Sequence, residues 1–323
     1  MAGSAAHDSL PDGPLPDHFA PPPSRGFFDG QWFTEEVPEA GRLGIRVEKL
    51  LHEETSAFQK IAVYDTTFFG RLLTLDNIVM LTERDEFVYH EMLTHVPLCS
   101  IPDPSSVLII GGGDCGCIRE VLKHPSVTSV VLCEIDERVT RVCEKYYPWL
   151  QETLADSRVE LVFADGVSYV ASNEAAFDLV VVDSTDPVGA AAGLFLSDFY
   201  KKVARALKPG GVMTAQTESP FWDNQLLRSI YSQIRQVFTG AVPYLGGVPT
   251  YPSGNWSWAY ASLDRGPHDY LDRTRSEAVS AQCRYYNAEL QQAAFALPNF
   301  VQRLLEGQDL FADLDRRRRQ SGE

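Results

Sequence analysis

Five short, mainly apolar runs occupy the middle of the chain, at residues 106–110, 129–133, 159–163, 177–182 and 212–215, roughly 20 to 30 residues apart with helix-like stretches between them. Apolar residues without alternation mean strands covered on both faces, and the βαβ rhythm requires helices to do the covering. The expected fold class is therefore α/β: a doubly wound, Rossmann-like, mostly parallel sheet. Sheets of this kind bind ligands in the crevice at the carboxyl ends of their strands.

Ahead of these runs the texture differs. Short β-rich segments at 45–50, 59–64 and 71–75, separated by Phe69-Gly70 and Asp76-Asn77, predict a small N-terminal antiparallel sheet. A helix carrying Phe87, His90, Met92 and Leu93 follows, with Pro97 read as its end. Beyond Thr239, β-like runs at 241–244 and 256–260 precede a helical C-terminal region. Residues 1–24, with six prolines and no periodicity, read as a disordered tail. The domain reading is thus 25–96 for the β domain, 97–310 for the catalytic domain and 311–323 for a tail whose basic run, Arg316 to Arg319, is taken as solvated.

With 28 Lys and Arg against 44 Asp and Glu, the net charge is −16, which opposes nucleic acid and anionic membranes and favours cationic ligands. No apolar stretch is long enough to span a bilayer, and residues 1–24 lack the basic and apolar regions of a signal peptide, so a cytoplasmic location is expected. Six cysteines without CxxC spacing are expected to be reduced thiols.

The first central strand runs into Gly111-Gly-Gly113-Asp114-Cys115-Gly116, a GxGxxG turn opening a helix, and Glu134 ends the next strand twenty-one residues beyond Gly113. The glycines permit close backbone approach and the acid takes ribose hydroxyls, so a nucleotide or nucleoside site is expected. Asp114 would repel a pyrophosphate or a ligand carboxylate and would welcome an ammonium; the bland alternative is that it caps the helix. After the fourth run, Asp183-Ser184-Thr-Asp186-Pro187 sets two carboxylates three residues apart at a strand end, and the small residues as far as Gly193 suit a lid. Asp165-Gly166 closes the third run where an adenine amino group would lie, and Tyr89-His90-Glu91 and Tyr251-Pro-Ser-Gly254 are placed to close the pocket. His90 and His95 are i,i+5 on a helix, about 140° apart, so no metal site is expected there.

These segments, with Ala294-Phe-Ala-Leu-Pro-Asn-Phe300, resemble the polyamine aminopropyltransferases over roughly residues 27–305. The resemblance implies a class I methyltransferase-like sheet, transfer of an aminopropyl group from decarboxylated S-adenosylmethionine to putrescine, and release of 5′-methylthioadenosine. It implies no resident cofactor, the nucleoside being a co-substrate, and a homodimer or homotetramer. By position, Asp183 matches the acid/base, with Tyr89 assisting, and Asp114 the carboxylate that holds the aminopropyl amine. Glu134 matches the ribose ligand, Asp165 and Gly166 the adenine contacts, and Gln59 and His90 further donor contacts beside Gly111 and Gly113. Tyr89, Asp183, Ser184, Asp186 and Tyr251 match the acceptor side. The chain departs from the family at Cys115, where glycine is common, and at Ala190, where proline is common. Cadaverine, agmatine or spermidine as acceptor, a methyltransferase, a polyamine-binding protein without turnover and a nicotinamide oxidoreductase are the competing readings.

Overall fold

The computed structural model describes residues 25–37, 41–187, 189–308 and 311. The segment 1–24 and the Arg316 to Arg319 run lie outside the described residues. Six strands, β1 (Arg25–Phe28), β2 (Trp32–Val37), β3 (Gly41–Thr55), β4 (Lys60–Thr66), β5 (Gly70–Leu75) and β6 (Ile78–Thr82), form an antiparallel meander in chain order. Three of them match the β-rich segments of the sequence; β1, β2 and β6 were not anticipated. In β2 the inward positions are Phe33 and Glu35, so a buried carboxylate stands where an apolar residue would have completed the alternation.

The second sheet has the order β12-β13-β11-β10-β7-β8-β9, with β7 (Ser106–Gly111), β8 (Ser129–Glu134), β9 (Val159–Phe163), β10 (Phe177–Asp183), β11 (Leu207–Gln216), β12 (Val242–Gly246) and β13 (Trp256–Ser262). Strands β7 to β11 pair in parallel, while β12 and β13 are antiparallel additions at one edge. Successive residues explain the mainly apolar runs. Val107 and Ile109 of β7, with Leu179 and Val181 of β10, enter the core on one face. Leu108, Ile110, Val180 and Val182 enter the core on the other. The edge strand β9 departs from this, being only partly covered. Strand β11 starts five residues earlier than its apolar run, because Pro209-Gly210-Gly211 sits within it where its pairing with β10 shifts register, rather than before it as a turn.

Helix α1 (Glu86–Leu98) runs through Pro97 for one more residue, since proline's fixed φ is helical even though the ring forfeits an N–H and crowds the preceding turn. It packs on α2 (Gly116–Leu122) and on β10 and β11, so a division of the chain at residue 96 falls inside an element of the second sheet's layer. Helices α3 (Glu137–Tyr146), α4 (Trp149–Ala155), α5 (Gly166–Ala171), α6 (Ser197–Ala206) and α7 (Asn224–Arg235) complete the winding. The expected helical C-terminal region is α8 (Arg273–Ser280), α9 (Ala288–Ala294) and α10 (Asn299–Leu305). No helix among the described residues is long and apolar enough to cross a membrane.

Candidate active site

The strand order reverses between β7 and β10, which lie side by side with Asp183 opposite Gly111. A crevice must open there, because the connections leaving the two strands go to opposite faces. The chain leaves β7 through Gly111 and Gly112, both at positive φ (81° and 67°). A Cβ on Gly111 would lie 2.1 Å from the Asp183 carbonyl oxygen, and one on Gly112 would lie 2.7 Å from Asp183 Oδ2. The glycines are thus required by Asp183 beside them, its backbone at Gly111 and its carboxylate at Gly112, as well as by the turn. Cys115 adopts the left-handed conformation (φ 61°) open to the glycine expected there, at a cost of about 1 kcal/mol.

Every residue given a catalytic, donor or acceptor role from the sequence borders one cavity of about 610 Å³ above these strand ends, whereas Glu91, Gly116 and Gly254 do not line it. Gly111 ends β7 with Gly113 and Asp114 beyond it, Glu134 ends β8, Asp165 and Gly166 follow β9, and Asp183 ends β10 with Ser184 and Asp186 beyond it. Gln59 reaches in from β3–β4, Tyr89 and His90 from α1, and Tyr251 from the loop after β12. That loop is pinned by Asp85, whose Oδ2 accepts from the N–H and hydroxyl of Thr250 at 2.8 and 2.7 Å. The Tyr251 hydroxyl donates to the Met80 carbonyl (2.7 Å), so its ring forms the wall while its proton is already engaged.

The nucleoside end is built from capped helices. Glu134 accepts from the N–H of Asp136 (2.8 Å), and Asp136, the N-cap of α3, accepts from Ser56 Oγ and Gln59 Nε2 at 2.6 and 3.1 Å. Burial, with the charges of Asp136 and Asp183, pushes the Glu134 carboxyl up to about 7. Asp165 caps α5, taking the Val167 and Ser168 N–H groups and the Ser168 hydroxyl.

At the centre lies an ion-pair chain. His90 Nδ1 meets Glu86 Oε2 at 2.7 Å and His90 Nε2 meets Asp114 Oδ1 at 3.2 Å, both pairs deep in the molecule. Burial alone would lower the pKa of His90, but Asp114 and Glu86 outweigh it and raise it to about 10, so the ring is an imidazolium. For Asp114, burial is opposed by His90 and by the Gly116 N–H (2.7 Å), and the carboxyl stays below its ordinary range. Asp114 therefore both caps α2 and presents an ionised carboxylate to the cavity. Asp183 accepts from Tyr89 Oη at 2.7 Å. Burial and the Asp114 charge raise its pKa, against the pull of His90 and Tyr89.

His90, Cys117 and Asp183 bring possible metal-ligand atoms within 4.8 Å of one another, as do His95, Glu120 and Cys283. Both nitrogens of His90 already face carboxylates, and those of His95 face Glu120 and His124 at 2.9 Å. All six cysteines are free thiols.

The sequence reading missed the far end of the cavity. Glu35, Glu218 and Asp223 line it beside Asp186, and no Lys or Arg is among the described residues that do. Burial, then the charges of Asp186 and Asp223, drives the Glu218 carboxyl well up; burial, then Asp186, pushes Asp223 to about 7. Burial also pushes Glu35 to about 8, although its carboxylate accepts from the Val79 N–H (2.8 Å). Glu218 was within reach of inference, standing two residues beyond the end of β11, where such sheets carry their sites. Glu35 was not, because it comes from the other sheet.

Residues 86–268 match the model of the spermine/spermidine synthase domain, and residues 31–83 match that of the spermidine synthase tetramerisation domain. The chain belongs to the spermine/spermidine synthase family. Its reaction class is that of an aminopropyltransferase. The polyamine aminopropyltransferase of Moorella thermoacetica is 46% identical over 278 residues, covering 86% of this chain and 97% of the relative. The polyamine aminopropyltransferase of Thermoanaerobacter sp. is 46% identical over 275 residues, covering 85% and 98%. Among solved structures, a spermidine synthase in complex with the transition-state analogue AdoDATO superposes with a TM-score of 0.84 at 40% identity, covering 87% of this chain and 97% of that one. The spermidine synthase of Thermotoga maritima gives a TM-score of 0.82 at 40% identity, covering 87% and 96%.

Proposed function

We propose that the chain transfers the aminopropyl group of decarboxylated S-adenosylmethionine to putrescine, yielding spermidine and 5′-methylthioadenosine. The observation that carries this reading is the meeting of two carboxylates at the β7/β10 crevice, Asp114 kept ionised by His90 and Asp183 held by Tyr89, in a cavity free of Lys and Arg among its described lining. Donor and acceptor are both cationic, and an acidic cavity offsets their mutual repulsion. Glu134, Asp165, Gly166 and Gln59 take the nucleoside, Asp114 the amine of the aminopropyl chain, and Asp186 with Glu218 the far ammonium of the acceptor.

The reaction forms a C–N bond and breaks the C–S bond of a sulfonium, so no covalent enzyme intermediate is needed and positioning supplies much of the rate. The attacking nitrogen must first lose a proton. An alkyl ammonium resembles lysine, with a pKa near 10.4, and freeing it at pH 7.5 costs about 4 kcal/mol. Asp183, its proton affinity raised by burial, accepts or orients that proton with Tyr89 on its other oxygen. Ionised Asp114 disfavours a methyltransferase, whose donor keeps its carboxylate. The assembly is read as a homodimer or homotetramer formed through the N-terminal sheet, where Phe27 and Trp32 are exposed near its β1 edge.

The deciding experiment is incubation with decarboxylated S-adenosylmethionine and each of putrescine, cadaverine, agmatine and spermidine, with products identified by mass. Spermidine and 5′-methylthioadenosine from putrescine, at the highest kcat/KM of the panel, are expected. A higher value with another amine moves the acceptor assignment to it, and no transfer to any amine overturns the reading.

A further inference from the structure

Asp183 has a second neighbour that the reaction as outlined leaves unused. Cys117, the second residue of α2 and fully buried, puts its Sγ 3.3 Å from Asp183 Oδ2, the oxygen that Tyr89 leaves open. The turn that delivers it is close-packed on the same carboxylate, since a Cβ on Gly112 would meet the same Oδ2. Burial, then the charges of Asp183 and Asp114, keeps the thiol protonated, so it is a donor and not a nucleophile. A thiol proton on a carboxylate is a weak hydrogen bond, but among the described residues it is the one that reaches Oδ2.

We propose that Cys117 is a positioning residue for the transfer step: its S–H holds Oδ2 while the Tyr89 O–H holds Oδ1, fixing the plane of the Asp183 carboxylate so that its remaining lone pairs face the acceptor nitrogen. The proposal rests on Asp183 acting as the base. The groups around that carboxylate are Tyr89 and His90 from α1, Asp114 and Cys117 from the β7–α2 turn and helix, Glu134 from the end of β8 and Tyr251 from the loop after β12. Tyr89, Cys117 and His90 favour the ionised form, and removal of any one moves the proton onto the carboxylate at higher pH.

The test compares Cys117→Val, which keeps the bulk and removes the donor, with Cys117→Ser, which keeps an O–H. The acid limb of the kcat/KM profile is expected to move up by about half a pH unit in Cys117→Val, a roughly threefold loss below the limb, with KM for the nucleoside donor unchanged. Cys117→Ser should restore the wild-type limb. A limb that stays in place in Cys117→Val, or one that moves equally in both variants, overturns the proposal. Calorimetric binding of 5′-methylthioadenosine certifies each variant's fold. Should Cys117→Val fail to bind it, the infrared S–H band lost in Cys117→Ser decides instead: in Asp183→Asn it should shift, and an unmoved band overturns the proposal. Loss of turnover in Asp183→Asn with no effect of the Cys117 variants rejects the positioning role alone. Retained turnover in Asp183→Asn rejects the base itself.

Discussion

At the scale of single residues the site divides its carboxylates by their partners. Burial and the neighbouring Asp114 charge raise the proton affinity of Asp183 although Tyr89 and Cys117 both donate to it; Asp114 touches an imidazolium and stays ionised. Replacing Asp183 by Asn should leave nucleoside binding near wild type and lower kcat by on the order of a hundredfold or more, as loss of a general base does. Single-turnover kinetics with calorimetry checks both halves. For Asp114 the readout is donor choice. Decarboxylated and intact S-adenosylmethionine differ by one carboxylate, and like charges about 4 Å apart cost about 4 kcal/mol at an effective dielectric of 20, nearly a thousandfold in affinity. Asp114→Asn should weaken the decarboxylated donor and narrow the gap; an unchanged ratio of the two Kd values would leave Asp114 as a helix cap.

Among the elements, α1 explains how so many charges are buried without loss of the fold. All of its residues except Phe87 are buried, and its ionisable side chains each meet a partner. Glu86 takes His90, Arg119 and Arg284; Glu91 accepts the N–H groups of Arg284, Tyr285 and Tyr286; His95 lies between Glu120 and His124. Breaking such a pair on one side leaves a buried charge alone, so Glu86→Gln should cost roughly 3 kcal/mol. The pH dependence follows from the same contacts. The folded pKa of His90 is raised to about 10, so its contribution is complete below the unfolded value near 6.5 and is lost as pH rises through about 10. The Glu86 carboxyl, where burial is outweighed by His90 and Arg119, is held down; its contribution is present above the ordinary carboxylate range and is lost as pH falls. Melting curves between pH 8 and 10.5 should therefore fall more steeply for the wild type than for Glu86→Gln. A second element, the 3-10 turn Gly189–Phe195, borders the cavity through Ala191 and Leu194. Its amides should exchange more slowly when 5′-methylthioadenosine and a diamine are both bound, and unchanged exchange would deny it the role of a lid.

For the molecule as a whole, the two sheets meet over an acid-rich chamber to which each contributes. Glu35 from the first sheet, with Asp186, Glu218 and Asp223 from the second, forms a cluster whose carboxyls are all raised by burial. A raised carboxyl contributes fully below its unfolded value and loses that contribution as pH rises through its folded one. Stability of the free protein should thus decline between about pH 4.5 and 8, the window set by Glu35 (about 8) and Asp223 (about 7). A diammonium ligand favours the ionised cluster, so it should release protons on binding and stabilise more at pH 8 than at pH 6. Calorimetry in buffers of different ionisation enthalpy measures the proton count; a count of zero at pH 6.5 would contradict the shared cluster.

The apolar runs carried the parallel sheet because residues covered on both faces have no other reason to be uniformly apolar, and Gly111 to Gly116, Glu134, Asp165 and Asp183 were legible because strand ends announce where such a sheet binds. Helix α1 was harder: Glu86, His90 and His95 are buried in it, and only the fold brings Arg119, Glu120 and Asp114 against them. Strand β2 escaped for the same reason, since Glu35 points inward to serve a chamber built mainly by the other sheet. The sequence by itself determined the layers, the order of the motifs and the nucleoside-binding turn, each a property of residues close together in the chain. Only the tertiary structure decided which carboxylates hold a proton, because that depends on burial and on partners remote in the chain, Tyr89 standing 94 positions from Asp183 and Arg284 standing 198 from Glu86.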